Sequence, residues 1–148
     1  MLPKHESLLG NPILRGVTLL LLAPILLFAL YVQWHGDYGP GGGFQAGVIF
    51  AVAIIAHALI FGVRHTQRLV TPDAVRLCAA LGWLLYLGTG LLAMILGAEF
   101  LNYNVLASDA LHGQHYGILA IELGVGITVA NVMIMLFYAF VGRDVADG

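Results

Sequence analysis

Apolar residues run almost unbroken through four stretches of the chain, about Leu14–Trp34, Phe44–Val63, Ala74–Leu96 and Tyr116–Val141, separated by polar connections. Each stretch offers roughly 18–26 residues, against the ~20 that an α-helix needs to cross a hydrocarbon core of about 30 Å. The pattern predicts an all-α integral membrane protein, a bundle of four transmembrane helices forming a single domain over residues 1–148. Pro24 interrupts the first stretch, but neighbouring helices can satisfy the carbonyl it frees, so a kink is expected there and not a break. The opening "MLPKHESLLGNPILRG" carries an acid and prolines ahead of the apolar run, and "YVQWHGDYG" after it is a poor cleavage site. The first run is therefore expected to be a retained helix and not a signal peptide.

Composition sharpens this picture. Of 148 residues, 60% are apolar and only 9% charged, where a soluble domain carries about 25% charged residues. A formal net charge of -2 leaves no broad basic face for nucleic acid. The single cysteine, Cys78, excludes an internal disulfide framework and a CxxC site, and its apolar surroundings predict an inert buried thiol. Lys4 and Arg15 precede the first span, Arg64, Arg68 and Arg76 lie around the connection between the second and third, and Arg143 follows the fourth. The connections Gln33–Gly43 and Gly97–His115 contain neither Lys nor Arg. By the positive-inside bias the basic side is cytoplasmic, with both termini inside and these two connections outside. Trp34, Tyr38, Tyr103 and Tyr116 fall near the outer boundary, where amphipathic rings are expected.

The outer loop "HGDYGPGGGFQAG" raises three physical readings. A phosphate loop needs a following Lys and Ser/Thr, and Phe44 and Gln45 stand there instead. An anion or oxygen site at a helix N-terminus is the second, with Asp37 as the nearest charge and a candidate cap. Close packing is the third and the favoured one. Gly39, Gly43 and Gly47 fall at i, i+4 and i+8, and Ala51 continues the series. Such spacing lets membrane helices approach closely, and Pro40 suits a first helical turn.

The segment "HGDYGPGGGFQAGVIFA" resembles the signature of the MnhB-like subunits of the multisubunit, Mrp-type Na+/H+ antiporters, in which a histidine shortly precedes Pro-Gly-Gly-Gly-Phe. The last span, "GILAIELGVGITVANVMIMLFYAF", resembles that family's last helix, with an acid directly before an apolar-Gly-Val motif. The similarity runs from roughly Asn11 to Val141. Many family members place the loop histidine three residues before the proline; here Asp37 holds that place and His35 lies two residues earlier. The resemblance implies a bacterial cell-membrane protein whose partners are large A- and D-type antiporter subunits and small C-, E-, F- and G-type subunits. Na+ and H+ would be the transported ions.

His57 and Glu122 are the ionisable side chains well inside the spans, and such residues mark ion or proton paths by default. Counting about 100° per residue, His57 falls at the edge of the glycine-alanine face and is directed toward protein. Its plain alternative is a neutral histidine hydrogen-bonded to a neighbouring backbone. Glu122 lies roughly 9 Å into the last span from its outer end, on the face of Gly126 and Val129 and opposite Asn131. Its plain alternative is a carboxylate that snorkels outward or pairs with another subunit. The resemblance favours a proton- or sodium-linked role, since the family carries an acid at this place. His57 belongs to the cytoplasmic half and Glu122 to the outer half, so a continuous path would need water or partner groups. His35 and Asp37 join them as ion-path candidates; Pro40, Gly41, Gly42, Gly43, Phe44 and Gly47 are packing candidates. His112 and His115, at i and i+3 in the outer loop, are expected to be solvated and not to bind metal. No haem pair, nucleophile-base set or cofactor motif is recognisable, so no cofactor and no catalysis are expected.

The leading reading is an accessory membrane subunit of a cation/proton antiporter that packs against the large subunits and lines a Na+ or H+ path. Two others stay open: the equivalent module of a membrane-bound hydrogenase or complex I-like assembly, and a purely structural membrane subunit.

Overall fold

The computed structural model describes residues 11–36, 39–107 and 109–146. They form helices α1 (Pro12–Trp34), α2 (Gly43–Phe61), α3 (Val63–Leu69), α4 (Pro72–Ile95) and α5 (Ala110–Ala146), with a 3-10 turn at Tyr103–Val105 between the last two. Four of them, α1, α2, α4 and α5, are long and apolar enough to cross a membrane. The fold is all-helical among the described residues.

Each start has a local cause. Asn11 caps α1, its side chain accepting the Ile13 amide at 2.9 Å, and Pro12 takes the first turn where no N–H is needed. Thr71 caps α4 through the Ala74 amide at 3.3 Å, again followed by a proline. Helix α1 runs through Pro24 without a break. Gly62, at φ +96°, ends α2 and begins α3, turning the chain within one residue. The short α3 goes beyond the sequence pattern, which shows only a basic connection there.

The helices stand in a curved row in the order α1, α2, α5, α4, and α1 meets α5 only lightly. Helix α5 is the centre and uses two opposite faces. On one, the backbone of Gly126 receives Gly43 and Gly47 of α2; a Cβ added to Gly47 would lie 2.6 Å from the Gly126 oxygen. On the other, Gly124 receives Gly82 of α4, where the added Cβ atoms would come within 2.9 Å of the facing backbone. In a bilayer the tails are as apolar as the side chains, so van der Waals contact at short range, and not burial from water, holds such helices together. Toward the basic end Ile134 and Tyr138 of α5 pack with Ala51 and Val75, and the Tyr138 hydroxyl donates to the Val70 oxygen at 3.0 Å. Arg15 at the start of α1 lies over the ring of Phe61 at the end of α2, 5.0 Å from its centre, which sets these two ends at one level.

Three expectations need correction. Pro40 is not in a first helical turn: α2 begins at Gly43, and Gly39 stands in the loop and not on the helix face. The last helix begins at Ala110 and not near Tyr116, so His112 and His115 are helical. At 37 residues and about 1.5 Å per residue, α5 is roughly 55 Å long and must tilt or project beyond the core. Its first turns are covered by Tyr103, whose ring lies against Gly117. Burial, and next the neighbouring Tyr86, push the Tyr103 phenol upward, so it stays neutral at physiological pH. Cys78, finally, is exposed on α4 and not buried.

The glycine contacts divide into replaceable and irreplaceable positions. Gly88 has nothing within 4 Å of an added Cβ, so Gly88→Ala is expected to be neutral or to stabilise by about 0.5–1 kcal/mol through helix propensity. Gly47→Ala should lower the melting temperature, and Gly47→Leu or Gly82→Leu should abolish the complex band on native gels. Equal behaviour of Gly47→Ala and Gly88→Ala in thermal melts would remove the close-packing account.

Candidate functional site

The end of the α2–α5 contact away from the arginines carries a carboxylate. A Cβ on Gly43 would overlap the backbone oxygen of Glu122, so the two chains touch at this level. From there the Glu122 side chain reaches into the glycine loop. Its Oε1 lies 3.1 Å from the Cβ position of Gly42, and the Cβ position of Gly36 falls on the carboxylate itself. Gly36 follows the end of α1 and Gly42 is the N-cap of α2, so the acid sits between the end of one helix and the start of the next.

The loop is built for that position. The Val32 oxygen accepts the His35 amide at 3.3 Å and the Gly42 amide at 3.1 Å, folding the loop back onto α1. Gly42 holds φ +115°, a conformation that only glycine adopts without strain. Gly41 presses close to the Val32 oxygen, 2.8 Å from its Cβ position. His35 stacks on Tyr31 at 5.0 Å and its Nε2 lies 3.3 Å from the Cβ position of Gly39. Phe44 is exposed and Pro40 stands in the loop ahead of the helix. Asp37 and Tyr38 lie outside the described residues. Among the described residues the acid at the start of α2 is Glu122, brought from 79 residues downstream of Gly43 in the chain. A charge at a helix centre costs ~2.5–3.5 kcal/mol on insertion scales. A helix N-terminus in a partly buried setting offsets up to ~2 kcal/mol of this. The placement thus makes an acid tolerable at this depth.

His57 sits elsewhere. It is 14 residues along α2 from Gly43, about 21 Å at the helical rise, and the structure does not bring it to Glu122. Its Nδ1 lies 2.7 Å from the Thr66 hydroxyl, which itself donates to the Gly62 oxygen at 3.2 Å. A hydroxyl has one hydrogen; with that hydrogen on Gly62, His57 must donate through Nδ1. The ring also stacks on Phe61 at 4.7 Å and on His65 at 5.7 Å. The partner is thus a side chain of α3 and not the backbone, and the arrangement ties α3 to α2 at the basic end.

Gln33 escapes sequence reasoning, because at the tail of the first span it reads as an interfacial residue. It is buried, at 6% exposure, with its Oε1 against Gly126 one turn below Glu122. Its Nε2 is enclosed and has no hydrogen-bond partner among the described residues, an arrangement that costs about 1–3 kcal/mol if nothing else meets it. It borders a groove of about 370 Å³ between α1, α2 and α5 that also reaches Cys78 of α4 and Asn131. His112 and His115 stand on the first turns of α5; the Nδ1 of His112 lies 2.9 Å from Asp109 in an exposed pair. No group of three or more metal-ligating side chains is found among the described residues.

Four apolar spans joined through glycine contacts, with an acid held at membrane depth, define a multi-pass membrane subunit. Residues 13–135 match the family model described as a domain related to the MnhB subunit of Na+/H+ antiporter. The chain belongs to that family, a family of transporter subunits, and so has other antiporter subunits as partners. It is 30% identical over 136 residues to a Staphylococcus epidermidis protein named as antiporter subunit mnhB2, covering 90% of this chain and 96% of that one. With the protein of the same name from Staphylococcus aureus the identity is 32% over the same length and coverage. The relatives and the four spans make it a bacterial membrane protein.

The His57–Thr66 contact predicts a stability effect. Thr66→Val keeps the shape, removes the acceptor and strands a partly buried ring N–H, so it should destabilise the purified protein by about 1 kcal/mol. The same loss should appear in His57→Phe but not add to it in the double variant. Fully additive losses in thermal melts would show that the two side chains act separately.

Proposed function

We propose that within the antiporter complex this subunit contributes Glu122 as a station on the Na+ or H+ path. The observation that carries the reading is the carboxylate's seat between Gly36 and Gly42 at the N-terminus of α2. A side chain at Gly36 would fill the space that the carboxylate uses, and one at Gly42 would crowd it. A carboxylate there can bind either H+ or Na+, and so exchange one for the other. The subunit performs no covalent chemistry of its own in this reading; it holds a charge where a moving ion meets it.

The assembly follows from the bare faces. Helix α1 buries only Ala29, Val32 and Gln33, and leaves residues such as Leu20, at 74%, uncovered. We take these faces to pack against large A- and D-type antiporter subunits, with the small C-, E-, F- and G-type subunits alongside. His35, in the loop beside Glu122, and Asp37, two residues later in the sequence, are proposed as outer groups of the path, whereas the Thr66 bond gives His57 a tethering role. The side carrying Arg15, Arg64, Arg68 and Arg76 is proposed as cytoplasmic, with both termini there.

Glu122→Gln keeps shape and hydrogen bonding but removes the titration. The variant complex should assemble and lose Na+-dependent proton exchange in everted vesicles, while Glu122→Asp keeps part of it. Wild-type exchange in an assembled Gln variant would refute the ion role. For orientation, Leu69→Cys and Glu99→Cys in a Cys78→Ser background provide exposed sites at opposite ends. An impermeant thiol reagent should label Glu99→Cys in intact cells and Leu69→Cys only after permeabilisation. The reverse pattern would invert the proposed topology.

A further inference from the structure

The basic end of the molecule carries positive charge that the bundle itself does not answer. Arg15, Arg64 and Arg68 are exposed and have no ion pair among the described residues. Arg76 differs, because Asp73 holds it at 2.9 Å. Among the described side chains Asp73 is the acid of this end, so no carboxylate is left there for the other arginines.

These cations stand on fixed supports. Around α3, Val63 and Val70 pack against the core and Thr66 is buried, tied to His57 at 2.7 Å and to the Gly62 oxygen at 3.2 Å. Arg64 and Arg68, at i and i+4, share the side of α3 opposite Thr66. Arg15 comes to the same place from α1. Its guanidinium lies over the Phe61 ring, 5.0 Å from the centre, and Phe61 is three residues before Arg64. Stacking occupies the face of a guanidinium and leaves the N–H donors around its rim for an oxyanion.

Position selects the ligand. Helices α1 and α2 are long and apolar enough to span a membrane, and the patch lies where both end, at the level where hydrocarbon gives way to headgroups. The oxyanion of that level is the phospholipid phosphate, which arginine meets with parallel N–H bonds. Leu69, next to Arg68 and 66% exposed, adds apolar surface that a lipid covers and a free phosphate does not. A zwitterionic lipid brings its own cation to the phosphate, so uncompensated arginines favour a lipid of net negative charge.

We propose that Arg15, Arg64 and Arg68 form a binding site for an anionic phospholipid, whose headgroup joins the ends of α1 and α2 to α3. The lipid supplies the negative charge that the described side chains of this end do not. Glu122 lies at the other end of α2, and the site depends neither on its role nor on which side of the membrane the basic end faces.

The test uses the whole antiporter complex in nanodiscs, with a bimane fluorophore on Leu69→Cys in a Cys78→Ser background. Phosphatidylglycerol with a doxyl quencher near the head of its acyl chain should quench the fluorophore. Half-quenching should need less than about one tenth as much of it as of phosphatidylcholine with the same label, since each arginine near an anionic surface adds roughly fivefold to binding. Arg15→Gln, Arg64→Gln and Arg68→Gln should each cut this preference by about fivefold, whereas Arg76→Gln should leave it unchanged. Equal quenching by the two lipids would overturn the proposal and leave only boundary lipid at this end. No quenching by either would overturn it in favour of a partner subunit lying over the patch. Relief of the phosphatidylglycerol quenching by added inorganic phosphate, but not by sodium chloride of equal ionic strength, would reassign the site to a soluble anion. The comparison of the two lipids with all arginines in place decides the matter even where an arginine variant fails to assemble.

Discussion

Helices α2 and α5 meet backbone to backbone at Gly43, Gly47 and Gly126, and the seating of Glu122 depends on that approach. Were the helices held apart by ordinary side chains, the Glu122 backbone would not reach Gly43, and its carboxylate would fall short of Gly36 and Gly42. The loop would then present a helix N-terminus without this acid, and the acid would lose its seat. Glycine at three levels solves both problems through one contact. Between lipid-facing helices, where no hydrophobic force draws the surfaces together, this short-range packing has to supply both stability and geometry.

The same helix α5 repeats the device on its other side, where Gly124 admits Gly82 of α4. A central helix gripped from two sides leaves little freedom for Glu122 to shift along the membrane normal. The basic end is held differently, by side chains: Tyr138 to Val70, His57 to Thr66, and Arg15 over Phe61. The molecule thus has a glycine-packed half that seats an acid, and a half bolted by hydrogen bonds and ring contacts. This division sets His57 and Glu122 in different surroundings.

The spans are legible in the sequence because about twenty apolar residues in a row have few alternatives to a membrane helix. The start of α5 is not, since "LHGQH" is polar enough to read as loop, and its order comes from Tyr103 packing on Gly117. The glycine spacing of α2 names one side of the contact, but its partner on α5 is a long-range fact that spacing cannot supply. For that reason sequence alone points to Asp37, close in the chain and outside the described residues, as a charge near the start of α2, and does not show that Glu122 also lies there. Gly82 and Gly124 carry a small-residue signal that is readable only once the two helices are known to face each other. Gln33 and Thr66 have none: their importance comes from burial against other helices, which a single sequence does not display.

The central claim is that Glu122 is an ionisable group in contact with the transported ion, seated by the glycine loop. Infrared difference spectroscopy of the purified complex, recorded between Na+-containing and Na+-free buffer, reads carboxyl groups directly. The account predicts a Na+-dependent carboxyl band in the wild-type complex that is missing from the Glu122→Gln complex and weakened by Gly36→Ala, which crowds the seat. An identical set of carboxyl bands in the wild-type and Glu122→Gln complexes would contradict it.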